Sequence, residues 1–134
     1  MSGISLPVRR IQNLFLKFKT TVMEKFMLIF QGGIKSDASP EALQNNMNQW
    51  MAWVEKLHKE GRYVSGEPLL PGGKLISNVN MVTDGPYTEG KEVVGGYFVI
   101  NANSMEEAVA VCNDYPDFGF DGSVQVRQVM KLDM

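Results

Sequence analysis

Cysteine and histidine are nearly missing from this sequence, with one of each in 134 residues, Cys112 and His58. One cysteine excludes an internal disulfide and a cysteine-built zinc centre. Cys112 falls in an apolar helical pattern, so it reads as a buried and inert thiol. A lone cysteine fits a reducing compartment, and a cytoplasmic protein is expected. One histidine excludes a multi-histidine metal site, and no carboxylates stand at ligand spacing around His58. No metal is therefore expected. Long apolar runs are absent too: none approaches the roughly 20 residues needed to cross a bilayer, so no membrane partner is expected. The glycine pairs Gly72-Gly73 and Gly95-Gly96 lack the spacing and the following helix start of a phosphate cradle. No cofactor is expected.

Acidic residues are missing from the first 23 positions, where Arg9, Arg10, Lys17 and Lys19 give +4 and leave −6 for the remainder. An acidic main body argues against nucleic acid as the chief partner, because phosphate binding needs a clustered cationic face. The apolar stretch Ile11–Phe18 is interrupted by Gln12, Asn13 and Lys17, unlike the core of a secretory signal. Val8, Ile11, Phe15 and Phe18 fall at helical spacing, which reads as a short amphipathic arm. The chain thus divides into a basic N-terminal extension, 1–23, and one α+β domain, 24–134. The composition, 44% apolar and 21% charged, is that of a soluble globular domain.

The apolar run Phe26–Phe30 predicts a strand buried on both faces. Ser39-Pro40-Glu41 is a helix start, with a hydroxyl cap, proline at the first helical position and an acid in the first turn. Leu43, Met47, Trp50, Met51, Val54 and Leu57 continue it at spacings of three and four, and Gly61 supplies a stop. Tyr63–Leu70 reads as an edge or kinked strand, since Gly66 and Pro68 interrupt it. Pro71-Gly72-Gly73 is a turn, and Leu75–Val82 a strand or short hairpin. Val93–Ile100 predicts a second long apolar strand. Ser104-Met-Glu-Glu107 has the form of a capping box, opening a helix that buries Met105, Ala108, Val109 and Cys112. Tyr115–Gly122 reads as a loop and Val124–Arg127 as a last strand, polar on one face.

This order gives strand–helix–strand, a β insertion, and strand–helix–strand again. It predicts a ferredoxin-like split βαβ domain: an antiparallel sheet with two helices on one face. An apolar sheet face left uncovered needs a partner, and face-to-face pairing of two copies supplies one, so a homodimer is expected.

Residues Asp84 to Glu92 form a charge-rich loop. Asp84-Gly85-Pro86 is a turn signal in its own right. Asp84, Glu89, Lys91 and Glu92 immediately precede the Val93–Ile100 strand. A loop carrying carboxylates and an ammonium at the mouth of a sheet binds a polar ligand, or knots itself with ion pairs. A desolvated Asp84 would serve as an acid or base. His58, near a helix C-terminus, reads first as a solvated helix residue and second as a proton-transfer group, because no serine or cysteine motif accompanies it. Trp50, Trp53 and the nine methionines read as core and dimer packing.

The series from Val82-Thr-Asp-Gly-Pro-Tyr-Thr-Glu-Gly-Lys-Glu-Val-Val-Gly-Gly-Tyr97, through Glu107-Ala108, to Gly122-Ser-Val-Gln-Val-Arg127 closely resembles the DGPF or YCII-related family. The resemblance spans about residues 24–130. It implies a small bacterial protein with the dimeric α/β barrel form of the ferredoxin-like fold. It also implies a motif aspartate at Asp84 and, from some relatives, association with a sigma factor in a regulatory role. Other relatives imply a histidine–aspartate acid/base pair. Tyr87 stands in place of the usual phenylalanine, and Gln125 and Gln128 stand where glutamate and proline are common. Trp50 stands where relatives of the enzyme type carry histidine, which removes the general base; His58 lies about two turns further on.

Three functions follow as expectations. The first is a homodimer binding a small polar ligand near the Asp84-Gly85-Pro86-Tyr87 loop, with Asp84, Tyr87, Glu89, Lys91 and Trp50 lining the site. The second is a cofactor-independent enzyme using Asp84 or His58 for proton transfer. The third is an interaction module whose basic arm engages another protein.

Overall fold

The computed structural model describes residues 23–85 and 92–133. Among the described residues, six strands and two α-helices follow one another: β1 Glu24–Gln31, α1 Pro40–Lys59, β2 Tyr63–Pro68, β3 Lys74–Asn78, β4 Met81–Asp84, β5 Val94–Ala102, α2 Met105–Val111 and β6 Ser123–Gln128. Single 3-10 turns at Cys112–Asp114 and Phe118–Phe120 bend the chain between α2 and β6.

Four strands form one antiparallel sheet in the order β2-β5-β1-β6, and β3 and β4 form a separate two-stranded ribbon. The halves β1-α1-β2 and β5-α2-β6 interleave their strands, which is the split βαβ arrangement expected from the element order. The ribbon is the β insertion between them.

Local chemistry fixes the helix ends. Ser39 Oγ accepts the Ala42 N–H at 3.1 Å, and Pro40 opens α1 without the loss of a hydrogen bond. Gly61 ends it in a left-handed conformation, φ 71°, which lets the Arg62 N–H reach the Leu57 carbonyl at 2.8 Å. Ser104 Oγ caps α2 through the Glu107 N–H at 3.1 Å, and the Glu107 carboxylate returns to the Asn103 N–H. Arg62 joins the two helix ends, pairing with Glu107 at 3.1 Å and with Glu60 at 3.0 Å.

The core lies between the sheet and the helices. Phe26, Leu28 and Phe30 of β1 face it beside Phe98, Ile100 and Ala102 of β5, under Trp53 and Leu57 of α1 and Ala108 of α2. Burying each large apolar side chain contributes about 1.5–3 kcal/mol.

Three expectations about burial change. β1 is buried on one face only: Met27 and Ile29 alternate with the core residues and stay half-buried on the outer face. The buried stripe of α1 is Asn46, Trp53 and Leu57 with Trp50 and Val54 beside it, while Met47 and Met51 are exposed. The stripe rotates because two indoles fill more of the core than two thioethers. On α2, Ala108 is buried, but Met105 and Val109 face outward, because the helix ends after seven residues and β6 is the last strand of the sheet. Among the described residues no helix is long and apolar enough to cross a membrane.

Candidate functional site

The end of β1 cannot continue as a strand. Gly32 and Gly33 both take positive φ, 69° and 99°, and turn the chain outward. The Gly32 N–H donates to the Val93 carbonyl at 2.9 Å, which ties the turn to the entry of β5. The Ile34 N–H donates to Asp117 Oδ2 at 3.1 Å. A Cβ at Gly33 would stand 2.5 Å from the same oxygen, so both conformation and contact require glycine there.

Asp117 is a buried carboxylate held by neutral donors. Its Oδ1 accepts Asn46 Nδ2 at 2.5 Å and the Trp50 indole N–H at 3.0 Å. Asn46 and Trp50 are one turn apart on α1 and thus present their N–H groups to one point. The Asp117 carbonyl accepts the N–H groups of Phe120 and Gly122, each at 2.9 Å, which closes the loop that carries the carboxylate. Neutral N–H bonds replace the water this carboxylate loses on burial; none of the ion pairs among the described residues involves it.

Aromatic rings wall this group. Trp50 meets Phe30 edge-on at 5.0 Å, and Tyr115 stacks on Phe30 at 5.4 Å with 10° between planes. Burial, and secondarily the Asp117 charge, push the Tyr115 hydroxyl well above its ordinary pKa. It stays a neutral phenol at physiological pH.

The pinned turn lines a cleft of about 550 Å³, bounded by Gly32–Asp37 on one side and by Leu69, Pro71 and Val93–Gly95 on the other. That volume lies in the range of small-molecule sites. Lys35, Ser36 and Asp37 supply the polar side chains, and Ile34, Leu69, Pro71 and Val93 the apolar ones. Both ends of the Asp84–Glu92 segment are tied nearby. The Gly85 N–H donates to the Gly73 carbonyl at 3.0 Å, in the turn after Pro71, and Gln31 Nε2 reaches the Glu92 carbonyl at 3.5 Å.

The residues singled out from sequence are distributed as follows. Asp84 ends β4, its side chain is 82% exposed, and it pairs with Lys74 across the ribbon at 2.6 Å. The desolvated setting that acid/base chemistry at Asp84 requires is not present there. His58 is exposed on α1, its ring 4.5 Å from that of Tyr63. Trp50 holds Asp117, not Asp84. Tyr87, Glu89 and Lys91 lie outside the described residues. Among the described residues no group of three His, Cys, Asp or Glu side chains is arranged to hold a metal ion. Cys112 is buried in the core, and burial pushes its thiol up to about 11.

Asn46 and Asp117 escaped the sequence reading. Asn46 had a signal, four residues before Trp50 on the same helical face. Asp117 had none, because it sits in a loop and its burial depends on α1 folding over it. The arrangement is suited to holding and enclosing a small molecule.

Compared with known proteins, residues 25–133 match the model of the YCII-related domain family. No curated protein matches the chain.

Proposed function

The chain belongs to the YCII-related domain family, and from its cleft we propose that it is a homodimer that binds a small polar ligand beside the Asp84–Glu92 segment. One observation carries the reading: a cleft of about 550 Å³ whose floor is a turn fixed from below by the buried Asp117 carboxylate. A turn held by backbone and side-chain hydrogen bonds is organised before the ligand arrives, which lowers the entropic cost of binding. Lys35 and Asp37 offer opposite charges to a polar ligand, and Ile34 and Val93 cover its apolar part. The exposed, ion-paired Asp84 favours binding over proton transfer.

The homodimer rests on the outer sheet face. Met27 stands opposite Val99, and Ile29 opposite Tyr97, so four large side chains form a continuous strip across the two central strands. Such a strip, on the sheet face away from the two helices among the described residues, is best protected by a second copy.

A thermal-shift screen of small polar metabolites tests the ligand, since a ligand bound to the native state raises the Tm by mass action. A metabolite that stabilises the parent chain should stabilise Lys35→Ala or Asp37→Asn much less. Equal shifts in all three proteins would move the site elsewhere and sink the reading. Light scattering at micromolar concentration tests the dimer, and a clean monomer would refute it.

A further inference from the structure

The cleft at the end of β1 holds charges that the fold leaves unused. Lys35 and Asp37 stand two positions apart in one turn, closed by the bond from the Ala38 N–H to the Lys35 carbonyl at 3.1 Å, and both line the cleft. Both are exposed, and neither takes part in an ion pair among the described residues. Exposed charges do pair elsewhere on this surface: Lys56 meets Asp114 at 2.6 Å, and Lys59 meets Glu55 at 3.2 Å. A third charge stands behind the cleft wall. Gly33 lines the cleft, and Asp117 Oδ2 fills the place its side chain would take, 2.5 Å from the position of a Cβ. Asp117 is buried and held by three neutral N–H donors. Water screens a buried charge less than an exposed one, so the negative side of the cleft is the stronger.

We propose that the ligand of this cleft is a zwitterion, an α-amino acid with an aliphatic side chain. Its ammonium faces Asp37 and the Gly33 wall backed by Asp117, its carboxylate faces Lys35, and its side chain lies against Ile34, Leu69 and Val93. The inference rests on the ligand-binding reading of the same cleft and narrows it to one chemical class. The alternatives each leave something unmet. An anion satisfies Lys35 but meets two carboxylates, and a simple amine satisfies the carboxylates but leaves Lys35 unpaired. A sugar or other uncharged polyol pairs with neither sign and sets hydroxyl groups against the apolar wall. Only a ligand carrying both charges and an alkyl group uses every lining group named. The two ends are unequal, because Lys35 is exposed whereas Asp117 is buried, so the ammonium supplies most of the attraction.

The test is calorimetric titration of the full chain with leucine and two truncated forms of it: isoamylamine, which lacks the carboxylate, and isocaproate, which lacks the amine. Leucine should bind about fivefold tighter than isoamylamine, the worth of one exposed ion pair, and isoamylamine about tenfold tighter than isocaproate. Lys35→Gln should bring leucine and isoamylamine to equal affinity, because only leucine has a carboxylate to lose a partner. Asp37→Asn should weaken leucine and isoamylamine by the same factor. Both positions are exposed, so the fold withstands either change. Isocaproate binding as tightly as leucine, or equal binding of all three compounds, would overturn the proposal. So would a metabolite of another class that stabilises the chain through Lys35 and Asp37 while leucine does not bind, and that result would leave the ligand-binding reading standing. A chain stabilised by no metabolite, amino acids included, would overturn both.

Discussion

Trp50 of α1 donates its indole N–H to Asp117 at 3.0 Å, across 67 positions of chain, and this bond fixes the helix to the loop before β6. Asn46 adds a second donor to the same oxygen and Ile34 a third to its partner oxygen, so one carboxylate joins α1, the β1 turn and the last loop. Removing it strands three donors together. Asp117→Ala should cost about 3–5 kcal/mol, because each buried N–H left unmet carries a penalty of its own. Trp50→Phe keeps a ring against Phe30 and removes one donor, and should cost about 1–2 kcal/mol. Denaturant unfolding measures both. Similar small losses in the two variants would show that water replaces the lost bonds.

The Arg62–Glu107 pair makes stability fall on the acid side. The Arg62 guanidinium, followed by the Asn103 N–H, holds the Glu107 carboxyl below its ordinary value of 4.5. A carboxyl with a lower pKa in the folded chain binds fewer protons there than when unfolded. Its contribution is complete above the unfolded value and fades as pH falls through the folded one. Glu107→Gln should lower the Tm at neutral pH and flatten part of its decline between about pH 5 and pH 3. An acid-side decline as steep as that of the parent chain would assign the loss to other carboxylates.

Much of the fold was legible because its signals are local. Ser39-Pro40 and Ser104 mark helix starts through caps that form within three residues, and Gly61 marks a stop through its own φ. Which face each helix buries was less legible. Met47 and Met51 satisfy the same spacing as Trp50 and Leu57, and only the size of Trp53 against the sheet rotates the stripe away from them. The site was legible only at its border. The polar density of Asp84–Glu92 marks a neighbourhood, but the carboxylate that organises it, Asp117, is remote in sequence and looks like an ordinary loop residue. A buried polar contact between distant elements leaves no periodic trace in either one.

Asp84 and Asp117 should separate cleanly by stability. Asp84 and Lys74 meet at 2.6 Å, but their side chains are 82% and 65% exposed, so water screens the pair. Asp84→Asn should change stability by no more than about 0.5 kcal/mol, against the several kcal/mol expected for Asp117→Ala. The Tm of the two variants, measured side by side, checks this. A large loss from Asp84→Asn would mean that the motif aspartate holds the ribbon in place, giving it a structural role as a turn.

The thiol of Cys112 offers a pH test of the core itself. Burial pushes it up to about 11, so thiolate is scarce near neutrality, and its Sγ–H also donates to the Ala108 carbonyl at 3.5 Å. Reaction with a thiol reagent proceeds through thiolate, so the rate should rise about tenfold for each pH unit through pH 8 and 9, with no plateau at the ordinary thiol value. A plateau near pH 9 would indicate that the sulfur reacts from an opened state in which water reaches it. Comparing the rate with and without mild denaturant separates these cases. A thiol attacked in the folded core gains little from small amounts of denaturant, whereas one attacked after opening gains in proportion to the surface exposed.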